Sequence, residues 1–449
     1  MGRLLILVLF APAFAGCAGP EPHDGANERP ITTENIWQHG LADYYPTPPH
    51  GRTAKATERR ADLASPGDRG FVQFDESMRN FMDLYEIPAG QLAVMHNGRL
   101  IYTAGHGYSN RDGTGSVDER NMFRFASVIK PITRALITLQ VEEGLYNWTD
   151  PVFCIPPEPA SNCRVAIEPH PARPVIDDRL GDVKVQHLVD HMGGWGGSMT
   201  YLNHPSGIAE MRPVLGIEGA PQMWQVAQYV MGAELQDAPG ARYQYCNVCY
   251  SLAGMVAEAA TGVNINALID AYLLRPLEIS GDLERTRNLP EDRNPREPFY
   301  NDDNMVPSVY DPNVTVREPD GGANFDTIFT AGGFTGTTEA IATIYGAYPE
   351  LVPASGTSFV GVGGADPWIT HERRAHTGAV TGASALSVWA ADKNGGTGRI
   401  QFVVVFNDAG PDCAGFDAGV VDYNSCPRAA LEADLTALGV LKAQERSAQ

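Results

Sequence analysis

Residues Arg124 to Thr133 read RFASVIKPIT, and within them Ser127 stands three positions before Lys130 at the head of an apolar run, PITRALITLQVEEG. A helix beginning near Ser127 would carry both side chains on one face, with Cβ atoms roughly 5–6 Å apart, within hydrogen-bonding reach. Pro131 marks the start, because proline is tolerated in a first helical turn and disrupts an interior. Gly144 marks the stop. Ser127 then lies at or near the helix N-terminus, where unpaired N–H groups and the helix dipole favour negative charge. Serine is a poor nucleophile at its own pKa and needs an adjacent base. A lysine can serve when burial, here among Val128, Ile129 and Pro131, disfavours its charged form. Taken alone, S-x-x-K also describes a helix cap followed by a solvated lysine, so its meaning depends on the rest of the chain.

Upstream, FVQFDESMRNFMDLYEI places Phe71, Phe74, Met78, Phe81, Met82 and Tyr85 at helical spacing. QLAVMHNGRLIYTAGHGY follows as two apolar runs joined at Asn97-Gly98, a hairpin signal because Asn-Gly tolerates the positive φ of a tight turn. From about 147 to 326 short helices and long Pro/Asp/Gly-rich loops prevail, with VKVQHLVDHMGG and NVCYSLAGMVAEAATG the clearest helical stretches. Strand patterns return in ALSVWAADKNGGTGRIQFVVVFNDAG, a second hairpin, before a closing helix in PRAALEADLTALGVLKA. This order predicts an α/β (α+β) domain over 71–445. Its α/β part comes from about 71–146 and 327–445, and a mostly helical part, about 147–326, is inserted between them.

The chain has 449 residues, 43% of them hydrophobic, which is enough to bury a core. A formal net charge of −21 and a pI near 4.9 argue against nucleic acid or an anionic lipid surface as a partner. The N-terminus, MGRLLILVLFAPAFAGCAGP, reads as an export signal over 1–17, too short for the roughly 20 apolar residues that span a bilayer. Ala13-Phe14-Ala15 suits an ordinary signal peptidase, whereas Phe14-Ala15-Gly16-Cys17 resembles a lipobox that would lipidate Cys17. Residues 18–70 read as a tether and irregular segment. The expectation is a bacterial periplasmic protein or outer-membrane lipoprotein that meets the membrane only through that anchor. Giving Cys17 to a lipid leaves six of the seven cysteines, in local couples: Cys154 with Cys163, Cys246 with Cys249, Cys413 with Cys426. Export would permit all three disulfides, although sequence alone does not dictate connectivity.

Two further constellations give S-x-x-K a context. Tyr245-Cys246-Asn247 opens the helix NVCYSLAGMVAEAATG, and a tyrosine beside a lysine can pass a proton while Asn247 donates and accepts hydrogen bonds. In isolation the pair reads as a packed tyrosine and an N-cap asparagine. His376-Thr377-Gly378-Ala379 precedes the late hairpin. A glycine in an edge strand lets a substrate approach the backbone, so the N–H groups of Ala379 and Ser127 could hold an oxyanion. His187 and His191, four apart on an expected helix, could face one metal, but no H-E-x-x-H and no third ligand accompany them. No G-x-S-x-G elbow is present.

Ser127-x-x-Lys130, Tyr245-x-Asn247 and His376-Thr377-Gly378, in this order and spacing, resemble the serine β-lactamase-related family of class C β-lactamases, D-aminopeptidases, penicillin-binding esterases and carboxypeptidases. The framing phrases NGRLIYTAGHGYSN, HLVDHMGGW, PGARYQYCN, RPLEI and AGGFTGTTEAIA extend the resemblance over roughly Gln91 to Val405. It implies a β-lactamase/transpeptidase-like fold, an antiparallel sheet flanked by helices, and an acyl-enzyme mechanism that needs no cofactor or metal. Ser127 would attack a carbonyl, Lys130 would take its proton and Tyr245 would protonate the leaving group. Ser127 and Ala379 N–H groups would hold the oxyanion, while Asn247 and Thr377 position a small ester, amide or peptide. Two positions depart from the family. His376 stands where many lactamases carry a carboxylate-binding lysine, and a free histidine, with a pKa of about 6.5, is mostly neutral at pH 7. This favours an ester, or a peptide whose carboxylate is absent or bound elsewhere, for instance by Arg373 or Arg374. Cys246 stands where serine is common, and a Cys246–Cys249 disulfide would stiffen the loop that presents Tyr245. The leading expectation is an ester- or amide-cleaving serine hydrolase. Its rivals are a D,D-peptidase or β-lactamase using the same residues, and a non-catalytic peptidoglycan-binding sensor.

Overall fold

The computed structural model describes residues 41–44, 71–155, 162–196, 199, 202–348, 371–392 and 399–409, with single positions 431, 435, 436 and 438; at 371–375 and 390–392 it describes the backbone alone. The expected export signal, Cys17, nearly all of the tether, the Cys413–Cys426 couple and most of the closing helix lie outside these residues.

A five-stranded antiparallel sheet forms one half. Its strands are β1 (Ala89–His96), β2 (Arg99–Gly107) and, from the far end of the chain, β6 (His371–Val380), β7 (Ala383–Asp392) and β8 (Arg399–Phe406), in the order β2-β1-β8-β7-β6. Asn97 and Gly98 turn β1 into β2 with φ of 51° and 78°, the positive pair that a two-residue hairpin demands. Strands β1 and β8 are apolar on both faces because both faces are covered. Leu92 and Val94, with Phe402, Val404 and Phe406, pack on one side against helix α1 (Val72–Leu84), meeting Phe74, Met78, Phe81 and Met82. Leu431 and Leu435, two of the described positions of the closing helix, join them. The alternate residues Ala93, Met95, Val403 and Val405 enter the larger core on the other side. There they meet Ala340, Ile341 and Ile344 of a helix over Thr338–Ala347. The period of two thus distributes one continuous apolar run between two cores.

The other half is helical. Helix α2 (Lys130–Glu142) and helix α3 (Asn247–Thr261) pack together in the large core, and α3 is buried without interruption from Val248 to Ala259. Gly254 lets α3 approach the segment 329–332, since a Cβ there would stand 2.4 Å from Thr330 Oγ1. A second sheet, of β3 (Phe123–Arg124), β4 (Leu283–Arg285) and β5 (Phe334–Gly336), holds the chain just ahead of Ser127, and Phe125 N–H extends it by donating to Phe334 O at 3.2 Å. Arg124, wholly buried, braces this strand: its guanidinium lies 4.1 Å from the Tyr300 ring centroid and 4.5 Å from that of Phe325, and donates to Pro319 O. Among the described residues two disulfides are formed, Cys154–Cys163 and Cys246–Cys249.

Candidate active site

Ser127 does not begin an α-helix. It sits in a 3₁₀ turn, Ala126–Ile129, that leads directly into α2 at Lys130. Because 3₁₀ geometry aligns positions i and i+3, the turn aims the two side chains together more directly than the expected α-helix. Ala126 enters the turn with φ of 49°, a left-handed conformation unusual for a residue with a Cβ. The turn is held on several sides. Val128 N–H returns to Phe125 O, and Val128 O accepts from the buried Tyr345 hydroxyl. Gly332 and Gly378 close on Ala126 from two directions.

Lys130 is wholly buried, whereas Ser127 and Tyr245 are half-buried at the surface above it. Lys130 Nζ lies 2.9 Å from Ser127 Oγ and donates to Ala331 O at 2.6 Å. Tyr245 OH lies 2.6 Å from the same Ser127 Oγ, and Nζ is 4.7 Å from the Tyr245 ring centroid. One hydroxyl is therefore shared by an amine and a phenol drawn from segments more than a hundred residues apart in sequence. Such an arrangement can pass a proton from Oγ to Nζ and deliver one from the phenol to an atom bonded next to Oγ. The Ala331 carbonyl, inside the phrase AGGFTGTTEAIA, was not singled out in the sequence; a backbone acceptor leaves no residue-type signal.

Asn247 is the first residue of α3, half-buried, and the N-cap is Cys246, whose Sγ accepts from Cys249 N–H. The N-cap role considered for Asn247 therefore belongs to its neighbour, and the disulfide ties that N-cap, next to Tyr245, to the first turn of α3.

His376, Thr377, Gly378 and Ala379 lie on β6, the edge strand of the large sheet, opposite Ser387, Leu386, Ala385 and Ser384 of β7. Gly378 has a steric reason not anticipated from the sequence. A Cβ there would stand 2.5 Å from Phe125 O and 2.9 Å from Ser127 N, so the strand lies against the serine's own backbone. Ala379 is exposed and Thr377 buried. His376 is buried, and its Nδ1 bonds to Thr377 O at 2.8 Å; the carbonyl can only accept, so Nδ1 carries the proton and Nε2 the lone pair. Burial, with nearby Lys130 adding to it, pushes His376 down to about 3. The side chains of Arg373 and Arg374 lie outside the described residues.

The two histidines weighed as a metal pair are separately engaged. His187 Nδ1 accepts from Lys184 N–H, capping the helix Val185–Val189, while His191 lies past the end of that helix and its Nδ1 accepts from Cys246 N–H at 3.0 Å. The ring of His191 lies flat on Tyr245, with centroids 4.6 Å apart and planes at 26°. Sequence reasoning missed this contact, although the phrase HLVDHMGGW contained the residue.

A family model described as Beta-lactamase matches residues 74–420. Esterase EstB of Burkholderia gladioli is 27% identical over 221 residues, covering 48% of this chain and 51% of that protein. Protein flp of Staphylococcus aureus (strain MW2) is 22% identical over 207 residues, 46% of this chain and 37% of that protein. The matches thus span about half or less of these curated relatives. Among solved structures, D-amino acid amidase from Ochrobactrum anthropi SV3 superposes with a TM-score of 0.54 at 14% identity, covering 84% of this chain and 99% of that one. The octameric penicillin-binding protein homologue from Pyrococcus abyssi superposes at 0.53 and 19% identity, covering 80% and 77%. These structural likenesses establish the fold.

Proposed function

The chain belongs to the beta-lactamase family, and from that premise we propose that it is a serine hydrolase that cleaves an ester or a neutral amide through an acyl-enzyme on Ser127. The observation that carries the reading is the shared hydroxyl: Ser127 Oγ stands 2.9 Å from Lys130 Nζ and 2.6 Å from Tyr245 OH. In this reading Lys130, as the neutral amine, takes the Oγ proton while Oγ bonds to the substrate carbonyl carbon. The carbonyl oxygen becomes an oxyanion facing the N–H groups of Ser127 and Ala379. The intermediate collapses as Tyr245 gives its proton to the leaving oxygen or nitrogen, and Lys130 restores the phenol. Water then repeats the sequence against the acyl ester, freeing the acid and Ser127. Asn247 and Thr377 orient the acyl portion.

The choice of substrate class is supported by His376. It stays neutral down to about pH 3 and its Nδ1 is engaged with Thr377 O, so this position supplies no cation for a substrate carboxylate. Esterase EstB, by its name, acts on esters. We further propose export and lipidation at Cys17, checked by metabolic palmitate labelling of the protein and of Cys17→Ala.

Intact-mass measurement after exposure to a fluorophosphonate, a penicillin and a small aryl ester tests the assignment. The expected outcome is a fluorophosphonate adduct on Ser127 and turnover of the aryl ester, with little penicillin hydrolysis. A penicilloyl adduct that persists would favour a D,D-peptidase, and rapid penicillin hydrolysis a lactamase. An unlabelled protein would remove the catalytic reading and leave the sensor.

A further inference from the structure

The helix Val185–Val189 ends in a left-handed cap. His191 N–H donates to Leu188 O and Met192 N–H to His187 O, the paired bonds of a Schellman motif in which His191 occupies the position that glycine usually fills, with φ of 57°. A side chain at that φ is disfavoured relative to glycine. What the imidazole does there accounts for its presence. Its Nδ1 accepts the N–H of Cys246, and its backbone carbonyl accepts the N–H of Gln244 at 2.7 Å, so the residues on both sides of Tyr245 are tied to His191. Between those two ties its ring lies on the Tyr245 ring and is itself 1% exposed. Tyr250 backs the imidazole at 4.8 Å, with its own hydroxyl fixed on Val189 O. Burial, reinforced by Lys130, holds the imidazole well below its ordinary pKa, so Nδ1 keeps the lone pair that Cys246 N–H needs.

We propose that His191 is a positioning residue that fixes the Tyr245 hydroxyl on Ser127 Oγ, by clamping the main chain on either side of Tyr245 and stacking on its ring. The proposal rests on Tyr245 being the proton relay. His191 touches neither Ser127 nor, in the proposed mechanism, the substrate; it acts through the phenol. Loosening the clamp therefore lowers the rate of the proton-transfer steps and leaves ground-state binding nearly unchanged.

The test compares the full-length protein with His191→Gly, His191→Asn and Tyr245→Phe, measuring kcat and KM for an aryl ester together with thermal unfolding. Glycine suits the left-handed φ but removes both ring and acceptor. Asparagine also tolerates that φ, and its side-chain oxygen takes the place of Nδ1. A misplacement of about 1 Å predicts a fall in kcat of roughly 10- to 100-fold for His191→Gly, with KM within about twofold. His191→Asn should regain about tenfold of that loss by restoring the bond to Cys246 N–H. The proposal is overturned if His191→Asn turns over no faster than His191→Gly, if KM rises while kcat holds, or if neither variant is slower than the parent. Should His191→Gly fail to fold, His191→Gln replaces it: its oxygen lies one methylene too far, and turnover equal to that of His191→Asn overturns the proposal as well. Tyr245→Phe at parental kcat would instead remove the relay, whereas an inactive Tyr245→Phe beside unimpaired His191 variants removes only the clamp.

Discussion

The two walls of the site are secured in opposite ways. On the helical wall, Ser127, Lys130 and Tyr245 come from a 3₁₀ turn, the first turn of α2 and the loop before α3, and each is pinned by a few discrete contacts: the Ala331 carbonyl, the His191 ring and the Cys246–Cys249 bond. On the sheet wall, β6 runs as a ten-residue strand whose geometry is spread over its ladder with β7. The candidate chemistry sits where the pins are, because discrete contacts fix unlike side chains one by one, while a ladder sets backbone. Single substitutions should therefore weigh heavily on the pinned wall and lightly on the laddered one, except where the ladder touches the pins.

The largest effect belongs to the pinned wall. Ser127→Ala and Lys130→Ala should each lower kcat by about 10⁴-fold or more, because in the proposed mechanism nucleophile and base act as one unit, and the double variant should be scarcely worse than either single one. Kinetics on folded protein, checked by circular dichroism, decide this; additive losses would mean that the two do not work together. Next comes the one place where the ladder meets the turn. Gly378→Ala drives a methyl group against Phe125 O and Ser127 N, and should lower kcat about 100-fold and stability by about 1–3 kcal/mol. An active, stable Gly378→Ala would show that β6 does not hold the nucleophile turn.

A smaller loss is expected from Cys246→Ser/Cys249→Ser. The bond closes a loop of only three residues, so it removes little freedom from the unfolded chain and its effect falls on local native geometry. We expect kcat to fall about tenfold, with Tm moving by only a few degrees. A large Tm loss with unchanged kcat would reassign the bond to general stability. The smallest effect concerns activity at His376. Its folded pKa, about 3, lies below the unfolded value near 6.5, so between these the unfolded chain binds more protons. The stability contribution is fully present above pH 6.5 and is lost as pH falls toward 3. Denaturant titrations should register that decline, and His376→Gln should lessen it. The kcat/KM profile should show no inflection near pH 6.5 that depends on His376; finding one would place a titrating imidazole in the reaction.

Sequence made the laddered wall easy to read and the pinned wall hard. The hairpin at Asn97-Gly98 and the strands around ALSVWAAD and RIQFVVVF are local patterns, and local patterns survive into the fold. Helix α1 was equally plain, since Phe74, Met78, Phe81 and Met82 repeat at its period. Ser127, Lys130 and Tyr245 were legible only as a resemblance among three distant motifs, because nothing at Lys130 foretells a phenol from position 245. The i to i+3 spacing of Ser127 and Lys130 places Ser127 near a helix N-terminus but does not separate a 3₁₀ turn from an α-helix. The spacing of His187 and His191 suggests a metal pair, and no spacing rule says that an imidazole will cap one helix and lie under the tyrosine that precedes another. Gly378 was assigned to substrate access, whereas its closest neighbours are main-chain atoms of the chain itself.

The pairing of β1 with β8 joins regions 318 residues apart: Ala89 N–H donates to Asn407 Oδ1, and Asn407 N–H returns to Ala89 O. A ribosome that has finished the first hairpin has made a ribbon whose β1 edge lacks its partner, and that edge stays bare until β8 has emerged. Closure of the sheet is therefore a late event that carries the loop-entropy cost of a long connection. Until closure, β1 presents an open template to any extended peptide nearby, its own siblings included. Yield during expression should accordingly respond to chaperone supply more than to any contact in the finished molecule.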